Sequence, residues 1–143
     1  MTIHKYGTAH WEGSIKEGKG TVSTESRALD NQPYGFNTRF EGKPGTNPEE
    51  LLGAAHAACF SMALSLILGE AKLTAQSIDT KAVVSLDKTD GGFEISAVDL
   101  TLKANVPGAT QEQFLELANK AKTGCPVSKL FKAKITLDAQ LVG

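Results

Sequence analysis

A chain of 143 residues with 41% apolar and 22% charged content can bury a core of its own without disulfides or a structural metal. Its formal net charge is -1, and no cluster of Lys and Arg interleaves with aromatics, which argues against nucleic acid as a partner. The opening residues, MTIHKYGTAHWEG, lack the apolar stretch and cleavage site of a signal peptide. The expected setting is the cytoplasm, where two cysteines stay as thiols unless they perform redox or metal chemistry. No repeat, linker or low-complexity segment divides the chain, so a single domain over residues 1–143 is expected.

The patterning predicts an α+β fold, with N-terminal antiparallel strands, a long buried central helix, and C-terminal antiparallel strands with one further helix. Residues 3–11 alternate as a strand, and Gly13, Gly18 and Gly20 punctuate a turn before a second strand at 21–25. Residues 26–33 are polar and read as a loop. Residues 34–41 return to strand character, with Phe36, Thr38 and Phe40 on one face and Asn37 and Arg39 on the other. Trp11 and the six phenylalanines read as core.

Residues 46–69, TNPEELLGAAHAACFSMALSLILG, form the centre of the chain. Asn47 suits an N-cap, Pro48 the first helical turn, and Glu50 completes a capping-box pattern. Gly69 is available to stop the helix. Between these signals almost every residue is apolar or small, so the helix is apolar all round and must be surrounded. It approaches the length of a membrane span. His56, the Ala and Ser content and the lack of Lys or Arg on its N-terminal side favour a buried core helix, with no membrane association.

From Ser77 the period is two, with Ile78, Thr80, Ala82, Val84 and Leu86 on one face, and Asp90-Gly91 marks a turn. The apolar positions then slip by one after Ala97, which predicts a bulge near Ala97 and Val98. Thr110 and Gln113 cap a helix whose stripe is Phe114, Leu117, Ala118 and Ala121, ending at Gly124. Pro126 can open another short helix, which puts Cys125 at its N-cap. Residues 132–141 close the chain as a strand with Ala133, Ile135, Leu137, Ala139 and Leu141 inward.

Cys59 lies in the middle of the central helix, where apolar burial raises a thiol's pKa, so a reactive Cys59 needs a cation beside it. Only Arg27 and Arg39 are arginines, and Arg39, set between Phe36 and Phe40, is the better placed. A desolvated arginine wants a carboxylate. Glu49 is freer to pair than Glu50, which has its capping role. Ten residues of helix put Glu49 roughly 15 Å along the axis from Cys59 and on a different face. If Arg39, Glu49 and Cys59 belong to one network, a second subunit must complete it, which would also cover the apolar helix.

Cys125 is the second thiol, and whether it meets Cys59 is a question for the fold. If it does, the first thiolate can attack an O–O bond to give a sulfenic acid, and the second can condense with it to a disulfide. His56 lies one turn before Cys59 and has three readings: a core histidine hydrogen-bonded locally, a base for Cys59, or a metal ligand with Cys59 and Cys125. A metal-binding protein and a module for an apolar ligand with structural cysteines therefore stand beside the peroxidase.

The stretches PYGFNTRFEG, GTNPEELLGAAHAACFSMALS and GCPVSK resemble the OsmC/Ohr family, in its OsmC branch. The resemblance implies a thiol-dependent peroxidase without a cofactor or metal, acting on organic hydroperoxides and built as an intertwined homodimer with a site at each end of its interface. It implies that Cys59 is the peroxidatic cysteine, Cys125 the resolving one, Arg39 the stabiliser of the thiolate and Glu49 its acidic partner. A dithiol reductant, lipoyl groups on a partner protein in the family, would regenerate the enzyme.

Overall fold

The N-terminal hairpin forms as expected, but its first strand covers residues 7–12 rather than 3–11. In the computed structural model, which describes residues 1–143, β1 (Gly7–Glu12) and β2 (Lys19–Thr24) run antiparallel, and β3 (Gln32–Tyr34) adds to the other edge of β2. Gly20 lets two rings close over β2. A Cβ there would lie 2.5 Å from Tyr34 and 2.8 Å from Trp11, whose ring centroids are 5.6 Å apart. These strands belong to the first of two compact units, Met1–Leu51; the second is Leu52–Gly143.

The strand expected over residues 34–41 is mostly a helix instead. After β3 the chain turns at Gly35 into α1 (Phe36–Phe40). The Gly35 N–H donates to the Thr38 hydroxyl at 2.9 Å, and that hydroxyl donates back to the Gly35 carbonyl at 3.0 Å, which closes the turn. Phe36 and Phe40 then meet at a tilt, with their ring centroids 4.9 Å apart. A Phe-x-x-x-Phe spacing fits strand alternation and helical i, i+4 contact equally, and local hydrogen bonding at Gly35 and Thr38 decides for the helix.

The central helix, α2, spans Pro48–Glu70. Its N-cap forms as expected, with the Glu50 N–H donating to the Asn47 side chain at 2.7 Å. It does not stop at Gly69. Lys72 takes the left-handed position at φ 64, the Leu73 N–H returns to the Leu68 carbonyl and the Lys72 N–H to the Gly69 carbonyl. That pair of bonds is a Schellman ending with a lysine where glycine is usual. By length and composition α2 could cross a membrane. Only one of its faces is buried by this chain: Gly53, His56, Phe60, Leu64 and Leu68. The expectation of a fully surrounded helix therefore holds for that face alone, and Met62 and Leu66 remain 76% and 68% exposed.

The second unit is built on β4 (Ser77–Thr89), β5 (Gly92–Asn105) and β6 (Lys134–Leu141), in the order β4-β5-β6. Central β5 supplies Val98, Leu100, Leu102 and Ala104 to a core that also takes Phe60, Leu64 and Leu68 from α2. The bulge falls at Ser96, since Ser85 pairs with Ala97 but Leu86 with Ile95. Ser96, left unpaired in the ladder, donates its hydroxyl to Asp87. Gly53 meets the sheet closely, because a Cβ on it would stand 3.1 Å from the Ala82 carbonyl.

The crossover from β5 to β6 contains α3 (Gln111–Gly124) and α4 (Pro126–Leu130), so the one further helix expected there is joined by the short one that Pro126 opens, with Cys125 at its N-cap. Thr110 caps α3 through the Gln113 N–H at 3.1 Å, and Phe114, Leu117, Ala118 and Ala121 are buried as their spacing predicts. This crossover returns the chain to the same end of the sheet, and β6 runs parallel to β5 rather than antiparallel. Trp11 and most phenylalanines are not deep core; Phe60 and Phe114 are, while Phe93 is 58% exposed.

Candidate active site

The second unit brings the two cysteines together. Cys59, half-buried on α2, shares a hydrogen bond with the Cys125 side chain and accepts one from the Val127 backbone N–H. Cys125 is fully buried, and both cysteines are free thiols. It sits between two helices: its N–H ends α3 on the Ala121 carbonyl, and its carbonyl receives the Lys129 N–H of α4. Pro126 follows at the first position of α4, where a missing N–H costs nothing. The second thiol is thus carried on the corner made by Gly124, Cys125 and Pro126.

Burial pushes the Cys59 thiol above its ordinary pKa, and the neighbouring Cys125 thiol pushes the same way. The Val127 N–H works against both by donating to the sulfur that becomes charged. Within this unit the thiol form is favoured, so a reactive thiolate calls for a further positive group.

His56 is fully buried one turn before Cys59. Its Nε2 lies 2.7 Å from the Ser128 hydroxyl, its ring meets Phe131 edge-on at 5.3 Å, and its Nδ1 has no partner. Of its three readings the core histidine fits, with its hydrogen bond made to a residue 72 positions away rather than locally. Burial lowers its pKa and keeps the ring neutral. His56, Cys59 and Cys125 form no cluster able to hold a metal ion: the donor on the Cys59 sulfur is a backbone N–H, and the Ser128 hydroxyl is taken by His56. Ser128 and the Val127 N–H were not legible as site groups. Their signal was the position of both within one turn of Cys125-Pro126.

Arg39 and Glu49 meet in the first unit. The Arg39 Nε lies 3.1 Å from both Glu49 carboxylate oxygens and its Nη2 2.6 Å from one of them, a two-pronged contact. Glu49 is the better shielded, with its side chain 12% exposed against 35% for Arg39. The guanidinium also lies over the Phe40 ring at 5.4 Å, so both its plane and its direction are held. Beside it opens a cavity of about 280 Å³ lined by Trp11, Ile15, Tyr34, Phe36, Phe40 and Pro48, with Arg39 its charged group. The four residues expected at the site thus form two pairs, a dithiol on one unit and an ion pair on the other.

Comparison with known proteins shows the family. An OsmC-like protein family model matches residues 40–140. The chain is 67% identical over 141 residues to the peroxiredoxin OsmC of Escherichia coli K12, covering 99% of each. It is 33% identical to the organic hydroperoxide resistance protein OhrB of Bacillus subtilis over 123 residues, 85% of this chain and 88% of that one. Among solved structures, an organic hydroperoxide resistance protein OsmC from Legionella pneumophila superposes with a TM-score of 0.71 at 26% identity, over 100% of this chain and 99% of that one. The chain belongs to the OsmC-like family.

Proposed function

We propose that this protein reduces organic hydroperoxides to alcohols through Cys59 and Cys125, and that two copies of the chain build each site. As an OsmC-like chain so similar to a peroxiredoxin over nearly its whole length, it is a thiol-based peroxidase. The observation that supports the residue assignment is the contact between the Cys59 and Cys125 thiols, with the Val127 N–H on the sulfur.

The chemistry follows from that contact. The Cys59 thiolate attacks the terminal oxygen of the hydroperoxide, the O–O bond breaks, and the alkoxide leaves and takes up a proton to become the alcohol. Cys59 is now a sulfenic acid. Cys125 attacks its sulfur, releasing water and forming a disulfide, which an external dithiol reduces by exchange while becoming a disulfide itself. Of the two thiols Cys59 is the more exposed, which suits it to meet the peroxide first, and buried Cys125 suits an internal second attack.

Arg39 supplies the cation that the thiol pocket needs. Held by Glu49 of its own chain, it would serve Cys59 of the second copy, favouring the thiolate and the departing alkoxide. The aromatic cavity beside Arg39 suits an alkyl or aryl tail rather than hydrogen peroxide. The second copy would cover the bare face of α2. The family suggests lipoyl groups as the reductant, and free thiols suit a cytoplasmic enzyme.

Free-thiol titration and intact mass, before and after one equivalent of cumene hydroperoxide, test the reading. Both thiols should vanish with the loss of two hydrogens per chain, and Cys125→Ser should stop at a trapped sulfenic acid. Survival of both thiols would overturn it.

A further inference from the structure

We propose that His56 and Ser128 position the resolving step: their hydrogen bond holds α4 in the register that keeps Cys125 beside Cys59. The inference rests on the peroxidase reading and concerns the second half of its cycle.

Two contacts join α2 to the short crossover helix and its leading residue. One is His56 to Ser128 at 2.7 Å, and the other is Cys59 to Cys125 and Val127. They are matched in spacing. His56 stands three residues before Cys59, and Ser128 three residues after Cys125, so the two rungs run in opposite senses along the two segments. A slip of α4 by one residue would move each side chain by about 1.5 Å along the axis and about 100° around it, breaking both rungs together.

Nothing else nearby has comparable direction. A five-residue helix has little stability of its own. The side chains by which it and its C-cap meet the core, Val127 and Phe131, pack through apolar surface, which tolerates sliding far better than a hydrogen bond does. His56 and Ser128 are both buried, and the His56 Nδ1 is left without a partner. A polar pair is costly in such a place, so apolar residues would serve a purely packing role better. What the pair adds is a fixed distance.

That distance matters most after the first chemical step. A disulfide needs Cα atoms roughly 4.4–6.8 Å apart with matched directions, whereas attack on a peroxide needs only Cys59 exposed and ionised. A sulfenic acid that waits can meet a second peroxide, which adds another oxygen and yields a sulfinic acid while a second alcohol leaves. The His56–Ser128 bond therefore governs the partition between disulfide and sulfinic acid.

Rapid-quench mass spectrometry of the full-length protein with cumene hydroperoxide reads both rates. Ser128→Ala and His56→Leu should slow disulfide formation by about tenfold, in line with small misplacements of reacting groups, and leave formation of the sulfenic acid within about twofold. A sulfinic product should accumulate as peroxide is raised. His56→Gln, whose amide can reach Ser128, should restore most of the partition; a purely structural role would lower the melting temperature without moving that ratio. Wild-type partition in folded Ser128→Ala and His56→Leu would overturn the inference while leaving the peroxidase intact. Thiols that survive in the wild type would instead sink the peroxidase reading itself.

Discussion

The two long faces of α2 are both apolar, yet they live in opposite surroundings. One carries His56, Phe60, Leu64 and Leu68 at every fourth position and is buried in the sheet's core. The other carries Ala55, Ala58, Met62, Ser65, Leu66 and Gly69, all exposed. The buried face is rich in large side chains that fill an interior; the bare one is mostly small, with two larger residues a turn apart. Hydrophobicity alone does not separate them. What separates them is bulk: Phe60, Leu64 and Leu68 join the core of β5 and His56 meets Ser128 and Phe131, while Ala and Ser positions leave a shallow track suited to close approach of another element.

The contrast is sharpest in what each face should cost to alter. Phe60→Ala removes a fully buried ring from the core shared with β5 and should destabilise the chain by about 3–5 kcal/mol. Urea unfolding measures it. A loss no greater than that of Met62→Ala, at a site 76% exposed in this chain, would erase the distinction between the faces.

The bare face carries the next largest effect. Met62→Glu combined with Leu66→Glu would put two carboxylates into the proposed interface between copies, at a cost of several kcal/mol by ordinary desolvation. Sedimentation should show a dimer becoming a monomer, with circular dichroism unchanged and peroxidase turnover lowered at least about tenfold. A double variant that stays dimeric would move the seam elsewhere, and a wild type that is monomeric at micromolar concentration would overturn the two-copy site.

Much of the fold was legible because local chemistry and burial agreed. The caps at Asn47 and Thr110, the alternation of β4 and the stripe of α3 each had one physical reading. Where two readings shared one pattern, the sequence could not choose. Phe36, Thr38 and Phe40 fit strand and helix alike until the Thr38 hydroxyl closed on Gly35. Residues of β6 alternate identically in either direction, and the length of the crossover made the strand parallel. At the candidate site, Cys59 stood out by its place in the central helix and Arg39 by its two phenylalanine neighbours, although the strand expected to carry Arg39 is a helix. The meeting of Cys59 with Cys125 and of His56 with Ser128 depends on contacts between residues more than sixty positions apart, which no local pattern encodes.

The smallest expected effect lies on the buried face of α2 and has a definite sign in pH. Burial holds His56 below the ordinary histidine value of 6.5, and its immediate neighbours, Ser128 and Phe131, carry no charge to offset that. The unfolded chain takes up a proton near the ordinary value while the folded chain resists, so this contribution to stability is complete above about pH 6.5 and is lost as pH falls through the lower folded pKa. The slope cannot exceed one proton, about 1.4 kcal/mol per pH unit. Carboxylates also respond to acid, so the informative quantity is the difference between wild type and His56→Gln. Urea unfolding from pH 7.5 down to 5 should show the wild type losing more stability than the variant, beginning near pH 6.5. His4 and His10 are exposed and are unchanged in the variant, so they cancel from that difference. Parallel curves would mean that His56 is protonated in the fold as readily as in the unfolded chain, and the buried face would then admit charge as the bare face does.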